Sequence, residues 1–345
     1  RINPSNVLTL NSSYQREAPL AYNSFVANRI KNDFVHGLST EGIFNNELSY
    51  SLTTARFTAR LSGYYTRFTD QVEQTAFYND SEARFTYLTM RGVEKEHYGI
   101  EAAAIWNVTS ALSFTFIGSM GDALYTNNPY ATITYESQDE VSMTYTNPVT
   151  KKQDALLVIA DGCRVSSTPL TALSLGIDYN VNGWFLGANV NYYDRVYVDF
   201  SEFRRLSNIL TPYISSGAVD ANGNPSFGVD EATLATNGGI LYNEDGSIYK
   251  AQTAEQTRVK GGFLVDLNVG RYIRLKNGRS LSLNLTVNNL LNNTNMSTGG
   301  YEQNRGDYYY DNGEQGDART YVFSKNPKLY YANAFNAFFN VAYKF

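Results

Sequence analysis

The chain has 345 residues, a formal net charge of −5 and an isoelectric point near 5.2, which argues against nucleic acid as a partner. Its single cysteine excludes an intrachain disulfide. Mean hydropathy is −0.36, and no apolar run approaches the roughly 18 residues of a membrane helix. The composition therefore excludes a helical membrane protein, a disulfide-stapled domain and a basic nucleic-acid binder.

Alternation of apolar and polar residues at every second position predicts ten β-strands along the chain. One example is the run Leu281, Leu283, Leu285 and Val287, which alternates with serine, asparagine and threonine. Most of the ten segments are long enough for a tilted strand that crosses a bilayer, which needs about 9–11 residues. No segment has sustained helical periodicity. The predicted strands are residues 7–18, 43–53, 56–78, 84–108, 111–126, 170–181, 184–203, 259–276, 279–292 and 330–345.

The connections between these strands alternate between short and long. Short turns are predicted at Thr53-Thr54, Thr109-Ser110, Asn182-Gly183 and Asn277-Gly278, whereas residues 19–42, 127–169, 204–258 and 293–329 form long connections. The link at 79–83 is the exception. Outer-membrane barrels have short periplasmic turns and long external loops. The pattern predicts an all-β, antiparallel transmembrane β-barrel with extracellular long loops and a periplasmic C-terminus.

The last strand carries a strong alternation and ends on an aromatic residue. Phe335, Phe339, Val341, Tyr343 and Phe345 share one face, and the opposite face is small or polar except for Phe338. A chain that ends on an aromatic residue after such a strand resembles outer-membrane β-barrels, whose last strand closes the barrel. We therefore expect Phe339, Tyr343 and Phe345 to serve barrel closure and assembly.

Three stretches resemble one family, the TonB-dependent outer-membrane receptors. They are residues 60–70 (RLSGYYTRFTD), residues 90–101 (MRGVEKEHYGIE), and residues 285–295 (LTVNNLLNNTN) followed by 299–305 (GGYEQNR). The resemblance implies a 22-stranded barrel, plugged by an N-terminal domain, that imports a scarce nutrient with energy relayed by TonB. Residues 1–345 are then expected to be the C-terminal portion of the barrel, with the plug and the other strands outside this chain.

The last long loop is rich in tyrosine, acid and arginine, and we expect it to contact the ligand. Tyrosines give flat amphipathic contact area, and arginine gives hydrogen-bond forks. A glycan, a peptide, a metal chelate or a vitamin fits this chemistry, and the alternative is local packing of the loop. The predicted ligand-binding residues are Tyr301, Glu302, Arg305, Tyr308, Tyr309, Tyr310, Asp317 and Arg319. Five charged residues are expected to face the lumen, where they line a ligand path, or pair with each other or with the plug outside this chain: Arg60, Lys95, Glu101, Asp178 and Asp266.

No catalytic or metal-binding constellation is predicted, and we expect neither enzyme activity nor a cofactor. Asp220 and Glu231 fit the first and twelfth positions of a calcium loop, but Pro225 occupies the sixth position, which that motif gives to glycine. His36 and His97 lack partners at metal-ligand spacing. Cys163 has no predicted catalytic partner.

The leading interpretation is nutrient import, with three expected partners besides the ligand: the TonB complex, contacted through the part outside this chain, outer-membrane lipid and, by family resemblance, a surface lipoprotein. The alternative is a complete ten-stranded barrel that acts as a protease or an adhesin. A protease needs acids beside a histidine to activate water. The only candidates are His36 with Glu41, and His97 with Glu94 and Glu96.

Overall fold

The computed structural model describes residues 2–79, 84–136, 141–146, 152–166, 168–208, 239–242, 248–252, 256–304, 308–311, 314–318 and 327–345. Ten strands form one sheet in chain order, and every neighbouring pair is antiparallel. This confirms the predicted all-β antiparallel fold. The strands are β1 (Asn6–Glu17), β2 (Glu41–Thr53), β3 (Phe57–Asn79), β4 (Arg84–Asn107), β5 (Leu112–Tyr125), β6 (Thr171–Val181), β7 (Trp184–Asp194), β8 (Gly262–Arg274), β9 (Ser280–Asn288) and β10 (Asn336–Lys344).

Helical structure in the described residues is limited to two 3-10 turns, Ala21–Ser24 and Phe203–Arg205. None of the described helices has the length and apolar character required to cross a membrane. Short strands outside the main sheet order are Tyr130–Tyr135, Val141–Ser142, Thr144–Thr146, Gln153–Ala155, Val196–Tyr197, Gly239–Tyr242, Ile248–Gln252, Arg258–Val259, Ser297–Tyr301, Tyr308–Asp311, Glu314–Ala318 and Lys328–Tyr331.

Three of the predicted strands are too long. The strand predicted at 184–203 ends at Asp194, because Arg195 has a φ of 56° and the chain leaves the sheet there. The strand predicted at 279–292 ends at Asn288, and Asn289 follows with a φ of 49°. The strand predicted at 330–345 starts at Asn336, because Lys328–Tyr331 pairs with Ser297–Tyr301 instead.

The hairpin turns have the geometry that their residues require. Asn182 and Gly183 have φ values of 49° and 80°, and Asn277 and Gly278 have φ values of 63° and 74°. Positive φ at both central positions is the signature of a type I′ turn. The four short connections, 54–56, 108–111, 182–183 and 275–279, share one edge of the sheet, here the turn end. Four long connections, 18–40, 126–170, 195–261 and 289–335, share the opposite edge, the loop end.

One face of the sheet is apolar along its whole width. A single cross-strand row runs through eight of the ten strands, from Leu8 on β1 to Phe263 on β8. The residues of this row are Leu8, Tyr50, Leu61, Ala102, Gly118, Leu173, Tyr192 and Phe263. Aromatic side chains lie on this face near both ends of the strands. Toward the turn end they are Tyr50, Trp106, Phe114, Tyr179, Trp184 and Tyr343, and toward the loop end they are Tyr14, Phe44, Tyr65, Tyr98, Tyr192 and Phe263.

The other face is mainly polar, and its side chains pair with one another. Arg60 lies 2.6 Å from the Glu47 carboxylate, and the Asn191 amide donates to Asp266 at 3.0 Å. Glu101 and Asp178 lie on the same face by register. Tyr64 lies across Gly99 and Gly121, which are paired on neighbouring strands and leave room for the ring. An apolar face between two aromatic bands, opposite a polar face, is the pattern of a membrane-spanning barrel wall.

Candidate functional site

Three of the long connections meet at the loop end and are joined by backbone hydrogen bonds. The Ile159 N–H donates to the Arg205 carbonyl at 2.8 Å, which joins connection 126–170 to connection 195–261. The Glu302 N–H donates to the Asp199 carbonyl, also at 2.8 Å, which joins connection 195–261 to connection 289–335. The described bases of these loops therefore form one unit.

An apolar core supports this loop junction. β3 and β4 have 23 and 24 residues and extend past the loop-end edge of the neighbouring strands. The side chains of their loop-end halves therefore lie beyond the main sheet. Leu88 and Val93 of β4 are fully buried against Val158 and Leu206 of the loops. Burying an aliphatic side chain of this size stabilises the folded state by about 1.5–3 kcal/mol. The junction is therefore a packed structure rather than a set of independent loops.

A fully buried ion pair, here named the loop clasp, lies at the centre of the junction. It consists of Arg205 and Glu302, whose side chains have no solvent exposure. The Arg205 guanidinium contacts both carboxylate oxygens, with Nη2 2.9 Å from Oε1. The Ser201 N–H also donates to Glu302 Oε2 at 2.9 Å. Both oxygens of Glu302 are thus occupied within the protein.

A charged cluster lies beside the clasp. The Tyr125 hydroxyl donates to Glu73 at 2.9 Å, and the Lys95 ammonium contacts the same carboxylate and lies 4.8 Å from the Tyr125 ring centroid. Phe200 packs edge-on against Tyr125 and connects the cluster to Arg205, which lies over the Phe200 ring. The clasp and the cluster form one continuous network at the loop end.

Several groups in this region have raised pKa values, among them Glu202 and Cys163. The pKa of Glu202 is raised to about 8, first by desolvation of its carboxylate and then by the negative charges of Asp199 and Glu73. The neutral form of Glu202 is therefore favoured relative to that of an exposed glutamate. Burial also raises the pKa of the Cys163 thiol, which favours the unreactive protonated form.

The structure describes some of the predicted ligand-binding residues and leaves others outside the described part. Tyr301 is exposed at the end of the Ser297–Tyr301 strand, and Glu302 belongs to the loop clasp. Tyr308, Tyr309, Tyr310 and Asp317 lie on a two-stranded hairpin formed by Tyr308–Asp311 and Glu314–Ala318. Arg305 and Arg319 fall outside the described residues. Ligand contact by this set stays a prediction.

The structure also gives positions for the predicted closure residues and tests the described residues for metal-binding groups. Phe339 and Tyr343 lie on the apolar face of the edge strand β10, and the Tyr343 ring packs against Phe345 with 4.9 Å between centroids. Their role in closure stays a prediction. The calcium-like stretch between Asp220 and Glu231 lies outside the described residues. Among the residues that the structure does describe, no group of three acidic, histidine or cysteine side chains is placed to hold a metal ion.

Sequence reasoning missed the loop clasp. Its two charged residues are separated by 97 positions, and Arg205 lies in a segment with no periodic pattern. Two adjacent arginines close to an apolar stretch were the only local signal.

The ten-stranded antiparallel sheet, with its apolar and polar faces and its alternating short and long connections, defines part of an outer-membrane-type β-barrel. A family model, "TonB dependent receptor-like, beta-barrel", matches residues 10–290. The chain therefore belongs to the β-barrel family of TonB-dependent receptors, which are outer-membrane proteins of Gram-negative bacteria. No curated protein sequence matches the chain.

Solved structures similar to this chain include a copper transporter, an iron transporter and a ferric-catecholate import receptor. The copper transporter OprC is 12% identical, with 98% of this chain and 37% of that chain covered and a TM-score of 0.49. The apoprotein of the FrpB iron transporter from Neisseria meningitidis is 12% identical, with coverage of 99% and 37% and a TM-score of 0.49. The ferric-catecholate import receptor Fiu from E. coli K12 is 11% identical, with coverage of 100% and 34% and a TM-score of 0.48. This chain spans little more than a third of their length.

Breaking the loop clasp is expected to loosen the loop junction. Glu302→Ala leaves the Arg205 charge buried without its carboxylate, and loss of one partner of a buried pair costs about 3–5 kcal/mol. We expect faster cleavage of the loops by a protease added to intact outer membranes, with the barrel still folded. The matched control is Arg258→Ala, which breaks an exposed pair with Asp194 (2.6 Å). Such exposed pairs contribute about 0–1 kcal/mol. Equal cleavage rates in the two variants would contradict a stabilising role for the clasp.

Proposed function

We propose that this chain is the C-terminal portion of the barrel of an outer-membrane transporter that binds a scarce nutrient at the cell surface and imports it to the periplasm. Energy comes from the TonB complex, which contacts the protein through its N-terminal region. The observation that carries the proposal is membership of the TonB-dependent receptor family over residues 10–290.

In the proposed orientation, the loop end is extracellular and the turn end is periplasmic. The distribution of connection lengths supports this, because outer-membrane barrels have short periplasmic turns and long external loops. The polar face then lines the lumen and the apolar face contacts lipid. The C-terminus of β10 lies at the turn end and is placed in the periplasm.

The loop end is the proposed ligand-binding surface, and its packed junction supports that assignment. A rigid base reduces the conformational entropy that the outer loop segments lose when a ligand binds. The ligand therefore binds these segments more tightly. The exposed Tyr301 immediately precedes the clasp residue Glu302, and the tyrosine hairpin begins at Tyr308, six residues after it in sequence. We propose a small nutrient ligand, such as a glycan, a peptide, a chelate or a vitamin, bound without covalent chemistry. A surface lipoprotein partner is proposed from family resemblance alone.

The alternative of a self-contained ten-stranded barrel with protease activity has weaker support. His36 is exposed in connection 18–40, whereas Glu41 is buried and accepts a hydrogen bond from the Val72 N–H. His97 packs against Phe68 on the polar face of the sheet.

The denatured mass of the protein purified from native outer membranes separates the two alternatives. A receptor with 22 strands and a plug is expected to have about two to three times the mass of this ten-stranded chain, which is 38.6 kDa. A mass close to 38.6 kDa would contradict the import proposal and favour the self-contained barrel.

Removal of the tyrosine hairpin side chains tests the binding surface. Replacing Tyr308, Tyr309 and Tyr310 by alanine should lower uptake at limiting nutrient at least about tenfold, because interface aromatics often contribute 2 kcal/mol or more. The measurement is growth under a condition in which the wild-type receptor gives an advantage over its deletion. The control is Tyr22→Ala, which removes an exposed tyrosine from connection 18–40. Unchanged growth at equal surface level would contradict a role of this hairpin in binding.

A further inference from the structure

A groove on the apolar face lies at a glycine in the middle of the sheet. Gly63 of β3 is paired with Leu48 of β2 and Ile100 of β4, so it occupies an apolar position without a side chain. A Cβ atom at Gly63 would meet a single heavy atom within 4 Å, the Gly99 carbonyl oxygen at 4.0 Å. The groove has a volume of about 680 Å³ and is open on the side that faces away from the sheet.

The floor and walls of the groove run across five strands. The row Leu10, Leu48, Gly63, Ile100 and Met120 follows the cross-strand register from β1 to β5. Strands lie about 4.8 Å apart, so four strand spacings give the groove a length of about 19 Å. One leaflet of a bilayer has a hydrocarbon depth of about 15 Å, half of the roughly 30 Å core. The groove is therefore long enough for an extended acyl chain.

The β5 end of the groove carries positive charge. Asp122 follows Met120 on the same face and accepts from Arg195, with Nη2 2.8 Å from Oδ2. Arg164 also lies 3.2 Å from Asp122, through its Nε atom. Two guanidinium groups thus share one carboxylate, which leaves a net charge of one positive unit on the three side chains. Both arginine side chains are partly exposed to solvent, with exposed fractions of 34% for Arg164 and 27% for Arg195.

The charged end lies at the level of a lipid headgroup. Tyr98 is paired with Asp122 and belongs to the aromatic band near the loop end, and such bands mark the membrane–water interface. Glu96, further toward the loop end on β4, accepts a hydrogen bond from the Tyr65 hydroxyl at 2.9 Å. The apolar row therefore lies on the hydrocarbon side of the band, and the arginines lie on the headgroup side.

We propose that this groove is a specific binding site for a membrane lipid, with an acyl chain along the row from Met120 to Leu10 and a phosphate-bearing headgroup on Arg164 and Arg195. The groove is apolar and is continuous with the lipid-facing surface of the sheet, so a lipid is the occupant that fits it. The paired arginines favour an anionic headgroup, because a guanidinium group binds phosphate with matched hydrogen bonds. The site goes beyond nutrient transport and does not depend on the identity of the nutrient.

Native mass spectrometry of the full-length receptor in detergent tests this site, with phosphatidic acid as the probe. Gly63→Leu fills the groove and should fold, since the added side chain projects into open space. We expect it to weaken phosphatidic acid binding at least about tenfold, and Arg164→Gln with Arg195→Gln should do the same, because the guanidinium groups supply charge-assisted hydrogen bonds to the phosphate. Diacylglycerol with the same chains, and inorganic phosphate alone, should each bind much more weakly than phosphatidic acid.

Two variants outside the groove serve as matched controls. Ala188→Leu places the same leucine side chain on the apolar face of β7, where Ala188 is paired with Ile177 and Leu267. Arg271→Gln removes an arginine that lies over Trp184 near the turn end. Heat-modifiable gel mobility confirms that every variant is folded. The proposal is overturned if Gly63→Leu binds phosphatidic acid as wild type does, if Ala188→Leu loses as much binding as Gly63→Leu, or if inorganic phosphate binds as tightly as the lipid.

Discussion

Backbone pairing between neighbouring strands is the interaction on which the rest of this structure depends. No water is available inside a bilayer to satisfy backbone N–H and C=O groups, so each strand must be fully paired with its neighbours. A register slip by one residue would turn every apolar side chain to the opposite face. Apart from bulges between Phe68 and Val72 where β3 pairs with β4, the ten strands keep a continuous register, and this register produces the apolar face, the polar face and the two aromatic bands. In the described residues, β1 and β10 each pair with a single neighbour in this sheet, so both have an open edge.

The loop end depends on different physics from the sheet. Its base is held by aliphatic packing around Leu88 and Val158, by the buried Arg205–Glu302 pair and by backbone hydrogen bonds between the loops. A buried ion pair contributes less net stability than its geometry suggests, but it penalises any arrangement in which one partner is missing. The clasp therefore favours a single arrangement of connections 195–261 and 289–335, and the hydrogen bond from the Ile159 N–H to the Arg205 carbonyl joins connection 126–170 to them. Such a base suits a surface that must present binding residues in fixed positions.

Most of the sheet could be predicted from the sequence, because its determinants are local. Alternation identified all ten strands, and Asn182-Gly183 and Asn277-Gly278 identified two hairpins from backbone preference alone. Errors occurred where tertiary contacts determine the structure. The residues after Asp194 continue a strand-like pattern, yet Val196–Tyr197 pairs with Arg258–Val259 outside the main sheet. The loop clasp and the groove at Gly63 could not be predicted, since each depends on residues brought together from distant strands or loops.

Assignment of the apolar face to lipid and the polar face to the lumen is the central claim. Nitroxide labels placed one at a time along β6, from Leu173 to Asp178, would test it in the full-length receptor in lipid vesicles, with Cys163 replaced by serine. We predict that accessibility to oxygen peaks at Leu173, Leu175 and Ile177, and that accessibility to a water-soluble nickel chelate peaks at the intervening positions. Equal accessibility at neighbouring positions, or the opposite phase, would contradict the account.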